Sequence, residues 1–249
     1  MKILLVNPNT TQAVTDSVLR AAQAAARPGT ALHAVTGTFG PQVIGSRSDN
    51  ALAQHGVLQL VAEHAHDADA VVLAVSLDTA LWACREILTV PVIGMTEAGL
   101  LTACTLAPRV GLLTYGRRMA PIYRELAEGY GLATRLAGVA AIDATPEKTY
   151  SARDEVLAEI RTAARGLIDD GAEAIVLAGA AMASMAGELQ PDLDVPLLDG
   201  IACAVALAEA RVALALPKAR TGSISPTGGR RVTGVSDALT ALYTRGGAA

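Results

Sequence analysis

Apolar runs without alternation recur along the chain and set its elements. Lys2-Ile3-Leu4-Leu5-Val6-Asn7, Ala70 to Val75, Arg109 to Thr114 and Ala174 to Ala178 are short and rich in Val, Leu and Ile. Such runs read as strands buried on both faces, as in a parallel sheet. Further strands are predicted at 31–36, 90–94, 134–142 and 195–198. Helices are predicted between them at about 11–26, 50–66, 79–88, 96–106, 118–130, 151–170, 181–189 and 200–215. Residues 218–235 read as an extended wrap, with a last helical turn or two at about 236–244. Strand alternating with helix throughout predicts an α/β class.

The pattern repeats. AVVLAVSLDT, opening at Ala70, is followed by Val90-Pro91-Val92-Ile93-Gly94; AIVLAGAAM, opening at Ala174, is followed by Val195-Pro196-Leu197-Leu198-Asp199. The first strand likewise resembles Arg109 to Thr114, so three segments recur in order at displacements of 104 to 108 residues. An internal duplication predicts two pseudo-symmetric, doubly wound lobes with mainly parallel sheets and an interlobe cleft. Residues 1–107 and 200–249 form the first lobe, the C-terminal helix and tail packing back, and 108–199 form the second. Ligands of open α/β sheets bind beyond the carboxyl ends of strands, so the residues after the repeated strands are the candidate site.

Composition narrows the chemistry. Hydrophobic residues make up 51% of the chain but aromatics only 3%, so the core is built from Ala, Val and Leu. The net charge of −4 and the lack of a long basic run argue against nucleic acid. The doublets Arg117-Arg118 and Arg230-Arg231 read as solvated or capping pairs. Cys84, Cys104 and Cys203 make no disulfide or zinc pattern, and His33, His55, His64 and His66 lack partners at ligand spacing, so no metal is expected. The most membrane-like stretch, 201–216, is interrupted by Glu209 and Arg211 and is too short to span. Asn7-Pro8-Asn9-Thr10 cuts the opening apolar run too early for a signal peptide, and a cytoplasmic protein is expected.

Five motifs in register carry a family resemblance: Asn7-Pro8-Asn9-Thr10, Ala70 to Thr79, Val90 to Ala98, Arg117-Arg118, and Leu198-Asp199-Gly200. Together they resemble the hydantoin and allantoin racemase branch of the aspartate/glutamate racemase superfamily, over nearly the whole chain. The resemblance implies cofactor-independent proton transfer at the carbon α to a carbonyl, in a homo-oligomer. It also implies one thiol from each lobe, on either face of the substrate. Inverting a carbon acid needs a base on one face and an acid on the other, and a thiol with a pKa of about 8.5 can serve as either. The implied positions are Val75 or Ser76 in the first lobe and Gly179 in the second, and neither holds a cysteine. The three cysteines present read as buried small hydrophobes, although Cys203 lies in the first turn of a helix, where a thiol pKa is lowered. Val75-Ser76-Leu77 also resembles the oxyanion side of the related arylmalonate decarboxylases, but their thiol too is missing at Gly179.

The candidate catalytic residues are Asp78, Ser76 and Tyr115, and the candidate substrate contacts are Asn7, Asn9, Ser46, Val75, Thr79, Thr114, Gly179, Ala180 and Asp199. Capping competes with catalysis for Asp78, Ser76, Thr79 and Asp199. Turn formation competes with ligand contact for Asn7 and Asn9. The leading expectation is a racemase-like isomerase acting on a small carboxylate or cyclic ureide through non-cysteine groups. A lyase, a hydrolase or a non-catalytic binder of small carboxylates on the same scaffold is the alternative.

Overall fold

The computed structural model describes residues 1–226 and 229–245. Sheet one orders its strands β2-β1-β3-β4 and sheet two β6-β5-β7-β8, all pairs parallel. In sheet one these are β1 (Lys2–Asn7), β2 (Ala31–Thr36), β3 (Ala70–Leu73) and β4 (Val92–Gly94); in sheet two, β5 (Val110–Tyr115), β6 (Leu136–Ile142), β7 (Ala174–Leu177) and β8 (Leu197–Asp199). The identical strand order is the structural form of the sequence repeat.

Helices α1 (Gln12–Ala25), α2 (Arg47–His64), α3 (Leu81–Ile87) and α4 (Met95–Leu106) connect sheet one and lead to β5. Helices α5 (Ala120–Gly129), α6 (Lys148–Ser151), α7 (Arg153–Asp169) and α8 (Met185–Leu189) connect sheet two. The last two helices are α9 (Gly200–Leu214) and α10 (Asp237–Arg245).

Strand side chains alternate between faces, which explains why the apolar runs show no alternation. Ile3 and Leu5 pack with Ala70, Val72 and Ile93 against α1 and α9. Leu4 and Val6 pack with Val71, Leu73 and Val92 against α2 and α3. Both faces are covered, so both must be apolar. Sheet two repeats this, with Leu113, Ile175 and Leu177 facing α7 and α8, and Leu112, Ala174 and Val176 facing α4 and α5.

Helix α4 is the seam between lobes. A Cβ on Gly99 would lie 2.6 Å from Val176 Cγ1, so only glycine lets the helix approach β7 this closely. Helix α9 leaves β8 but packs on α1 and sheet one through Ile201, Ala204, Val205 and Ala208. Its buried Glu209 accepts hydrogen bonds from the Arg27 backbone N–H (2.9 Å) and the Thr30 hydroxyl (2.6 Å). In the tail, the Lys218 ammonium donates to the Glu86 and Leu88 carbonyls, and Ser236 bonds Gln59.

Two helices differ from expectation. The segment expected as one helix at 181–189 is a 3₁₀ turn (Ala180–Met182) followed by α8, because Ser184 sits at φ 70 and interrupts the helical path. After β3, Asp78 (φ 48) and Ala80 (φ 62) are both left-handed, which delays α3 to Leu81. Among the described residues no helix is long and apolar enough to cross a membrane.

Candidate active site

The two sheets present corresponding strand ends to one cavity of about 220 Å³. The backbone sets the correspondence: Ala74 N–H donates to Val6 C=O (2.8 Å), and Ala178 N–H donates to Leu113 C=O (2.7 Å). Val75 and Gly179 each come next, two residues past β3 and β7, and both lie on the cavity wall. Of the two first-lobe positions, Val75 rather than Ser76 is therefore the mate of Gly179.

Beside Val75, the Ser76 hydroxyl hydrogen-bonds the phenol of Tyr123, which α5 carries in from the second lobe. Tyr123 is only 2% exposed, and its hydroxyl and that of Thr114 at the end of β5 are close neighbours. Burial pushes the Tyr123 phenol up to about 12, against the lowering effect of Ser76 and Thr114. Ser76, Thr114 and Tyr123 all line the cavity. Tyr123 is absent from the sequence candidates because one aromatic on an amphipathic helix looks like core.

At the other strand end, Gly179, Ala180 and Ala181 form a wall with no ionisable side chain. The Tyr115 ring lies under it: a Cβ on Gly179 would meet Tyr115 Cε2 at 2.9 Å and Cδ2 at 3.1 Å. The Tyr115 hydroxyl is 2.6 Å from the Thr149 hydroxyl, and burial pushes the phenol up. Other parts of the wall come from Asn9, from Val43-Ile44-Gly45 in the loop before α2, from Arg118 and Met119, and from residues 143–146 after β6. Asp143 is the one carboxylate of the wall among the described residues, and Arg117 Nε and Nη2 each hold it at 3.1 Å.

Several candidates lie elsewhere. Asp78 turns away from the cavity and accepts from the N–H groups of Thr96 (3.0 Å) and Glu97 (2.8 Å) and from the Tyr130 hydroxyl (2.7 Å). It thus caps α4, across the sheet edge, whereas α3 begins at Leu81 behind an Ala80 N-cap that offers no side-chain bond. Burial pushes the Asp78 carboxyl up to about 7, opposed by those three donors. Thr79 donates to Asn50 Oδ1 (2.7 Å), tying the same turn to α2. Asn7 is fully buried, donating to Asn9 Oδ1 and Thr15 Oγ1, both at 2.9 Å, so it orders the loop that presents Asn9. Ser46 caps α2 through the Asp49 N–H. Asp199 caps α9 through Ile201 N–H (2.8 Å) and also accepts from Ser184 N–H.

No cysteine is on the cavity wall. Burial pushes the Cys84 thiol up to about 12. It also raises that of Cys203, contrary to the lowering expected at a helix N-terminus, because the half-buried thiol is desolvated and near Asp199. Among the described residues no group of three or more His, Cys, Asp or Glu side chains is arranged to hold a metal ion.

The family model described as Asp/Glu/hydantoin racemase matches residues 3–208. The chain belongs to the Asp/Glu/hydantoin racemase family. It is 36% identical over 221 residues to a hydantoin racemase of Pseudomonas sp. (strain NS671), covering 86% of this chain and 87% of that protein. A hydantoin racemase of Paenarthrobacter aurescens is 32% identical over 226 residues, 90% of this chain and 96% of the relative. Among solved structures, allantoin racemase from Klebsiella pneumoniae superposes with a TM-score of 0.91 at 33% identity, covering 96% of this chain and 99% of that one. Within this racemase-family fold, the cavity lies where the two repeated sheets direct their strand ends, with Val75 and Gly179 at its matched positions.

Proposed function

We propose that this chain is an isomerase of the family that moves a proton at the carbon α to a carbonyl in a small cyclic ureide or carboxylate. It uses hydroxyl and carboxylate groups where the resemblance implies thiols. The observation that carries this reading is the Ser76–Tyr123 hydroxyl pair on the cavity wall, beside Thr114. Removing a proton α to a carbonyl places negative charge on the carbonyl oxygen. Donors fixed in advance stabilise that charge best where water is excluded. Ser76 and Tyr123 consume one O–H in their mutual bond and leave the other for the enolate oxygen. With its pKa raised, Tyr123 stays a neutral donor near neutral pH.

The carbon proton also needs an acceptor, and we assign that role to Asp143, the one carboxylate among the described wall residues. No side chain of the Gly179-Ala180-Ala181 wall can return a proton, so water in the cavity supplies the one added to the opposite face. Asp78 is then a positioning residue that fixes the turn bearing Ser76 through α4 and Tyr130. Tyr115 supports the Gly179 wall from beneath. The substrate class is supported by relatives named for hydantoin and allantoin, both cyclic ureides, and by a cavity sized for a small molecule.

The Gly179-Ala180-Ala181 wall favours a second reading, because it presents no side chain able to carry a proton. Exchange on one face, a lyase or hydrolase reaction, or binding without turnover would then replace inversion. Following the optical activity of a single enantiomer of a 5-substituted hydantoin, and of allantoin, separates the two. Decay of the circular dichroism signal to zero without loss of ligand is the expected result. A signal that persists while the ligand binds rejects inversion.

A further inference from the structure

Among the described residues, the wall of the cavity carries one cation with no partner of its own. Arg117 and Arg118 are consecutive, following the left-handed turn at Gly116 (φ 68), but they do different things. Arg117 is spent on Asp143, with two contacts of 3.1 Å. Arg118 lines the cavity, is exposed, and makes no ion pair among the described residues. This positive charge is local, since the chain as a whole carries a net charge of −4. Much of the rest of the wall is apolar, Val43, Ile44, Met119 and Pro146 included, and low-dielectric walls focus the field of a charge in the cavity they enclose.

We infer that Arg118 selects ligands with a second, anionic arm: a cyclic ureide whose ring sits at the strand ends and whose substituent ends in a carboxylate. The inference rests on the proposed function, because it takes the ureide ring as the part held by Ser76, Thr114 and Tyr123. A neutral ureide ring offers a guanidinium carbonyl oxygens but no opposite charge. A carboxylate on a short arm offers two oxygens in the planar arrangement that an arginine fork binds bidentately. Asp143 does not repel such an arm strongly, because Arg117 already balances its charge. Arginine keeps its charge throughout the ordinary pH range, so the selection does not depend on pH there.

The test compares 5-(carboxymethyl)hydantoin with its neutral isostere, 5-(carbamoylmethyl)hydantoin, by titration calorimetry on the full chain. The acid is expected to bind about tenfold more tightly than the amide at low salt. That ratio falls as sodium chloride is raised, because salt screens an exposed charge. In Arg118→Gln the ratio is expected to drop to near one, and Arg118→Lys keeps part of it. Arg118 is exposed, so neither variant threatens folding. Equal binding of acid and amide to the unmodified protein, or an unchanged ratio in Arg118→Gln, overturns the inference and leaves the proposed function standing. Binding of neither compound overturns the inference together with the cyclic-ureide half of the proposed function.

Discussion

Tyr123→Phe is expected to slow α-proton exchange by about 10²- to 10³-fold, the usual cost of removing one donor to a developing oxyanion. The change deletes one oxygen from a ring buried on α5 against Leu112, Leu136 and Val176, so the packing survives. Ser76 loses its partner but borders the cavity, where water can reach it, and stability falls by no more than about 1 kcal/mol. If the phenol acts only once charge has formed, kcat falls and KM changes little. A variant that raises KM and keeps kcat would show that Tyr123 holds the ground state instead. Exchange at the unmodified rate would remove Tyr123 from the reaction.

The second large effect is on folding. Asp78→Ala leaves the N–H groups of Thr96 and Glu97 and the Tyr130 hydroxyl without their acceptor, the first of them buried and the other two half-buried. Each orphaned donor costs about 1–3 kcal/mol before relaxation, and about 2–4 kcal/mol in total is expected at pH 5 by denaturant titration. The sign of the pH dependence follows from the raised pKa. A carboxyl at 3.8 unfolded and about 7 folded binds its proton more tightly in the native state. Its contribution is therefore fully present below about pH 4, declines as pH rises, and levels off above about 7. The gap between the unmodified protein and Asp78→Ala should narrow over that window. A gap that widens instead would mean that the three donors outweigh burial and hold Asp78 ionised.

The strands were legible because a parallel sheet covered on both faces leaves an unbroken apolar run, and Ala70–Leu73 and Ala174–Leu177 are such runs. Helix boundaries after them were less so. Asp78, Ala80 and Ser184 adopt left-handed conformations without glycine, and residue type gives no warning of that. The strand-end rule placed Val75, Ser76, Thr114, Tyr115, Gly179 and Ala180 on what proves to be the cavity wall. Applied to the end of β6, the same rule would have found Asp143. Capping was misjudged because it was read locally: Asp78 precedes α3 by three residues, yet its carboxylate reaches α4, 18 residues further on. Asn7 and Asp199 are not wall residues and spend their polar atoms on a loop and a helix end. Tyr123 could not be read from its helix, since its role depends on the opposite lobe bringing Ser76 to it.

Proton transfer at an α-carbon by a cavity without thiols is the central claim, and proton NMR in deuterated water tests it most directly. Hydantoins, allantoin, aspartate, glutamate and arylmalonates are offered in turn to the unmodified protein and to Asp143→Asn. Protein-dependent loss of an α-proton signal from a cyclic ureide or small carboxylate, slowed by about 10²-fold or more in Asp143→Asn, is the predicted result. Retention of every α-proton signal, with one of these compounds still raising the melting temperature, would contradict it and identify a cleft that binds without reacting.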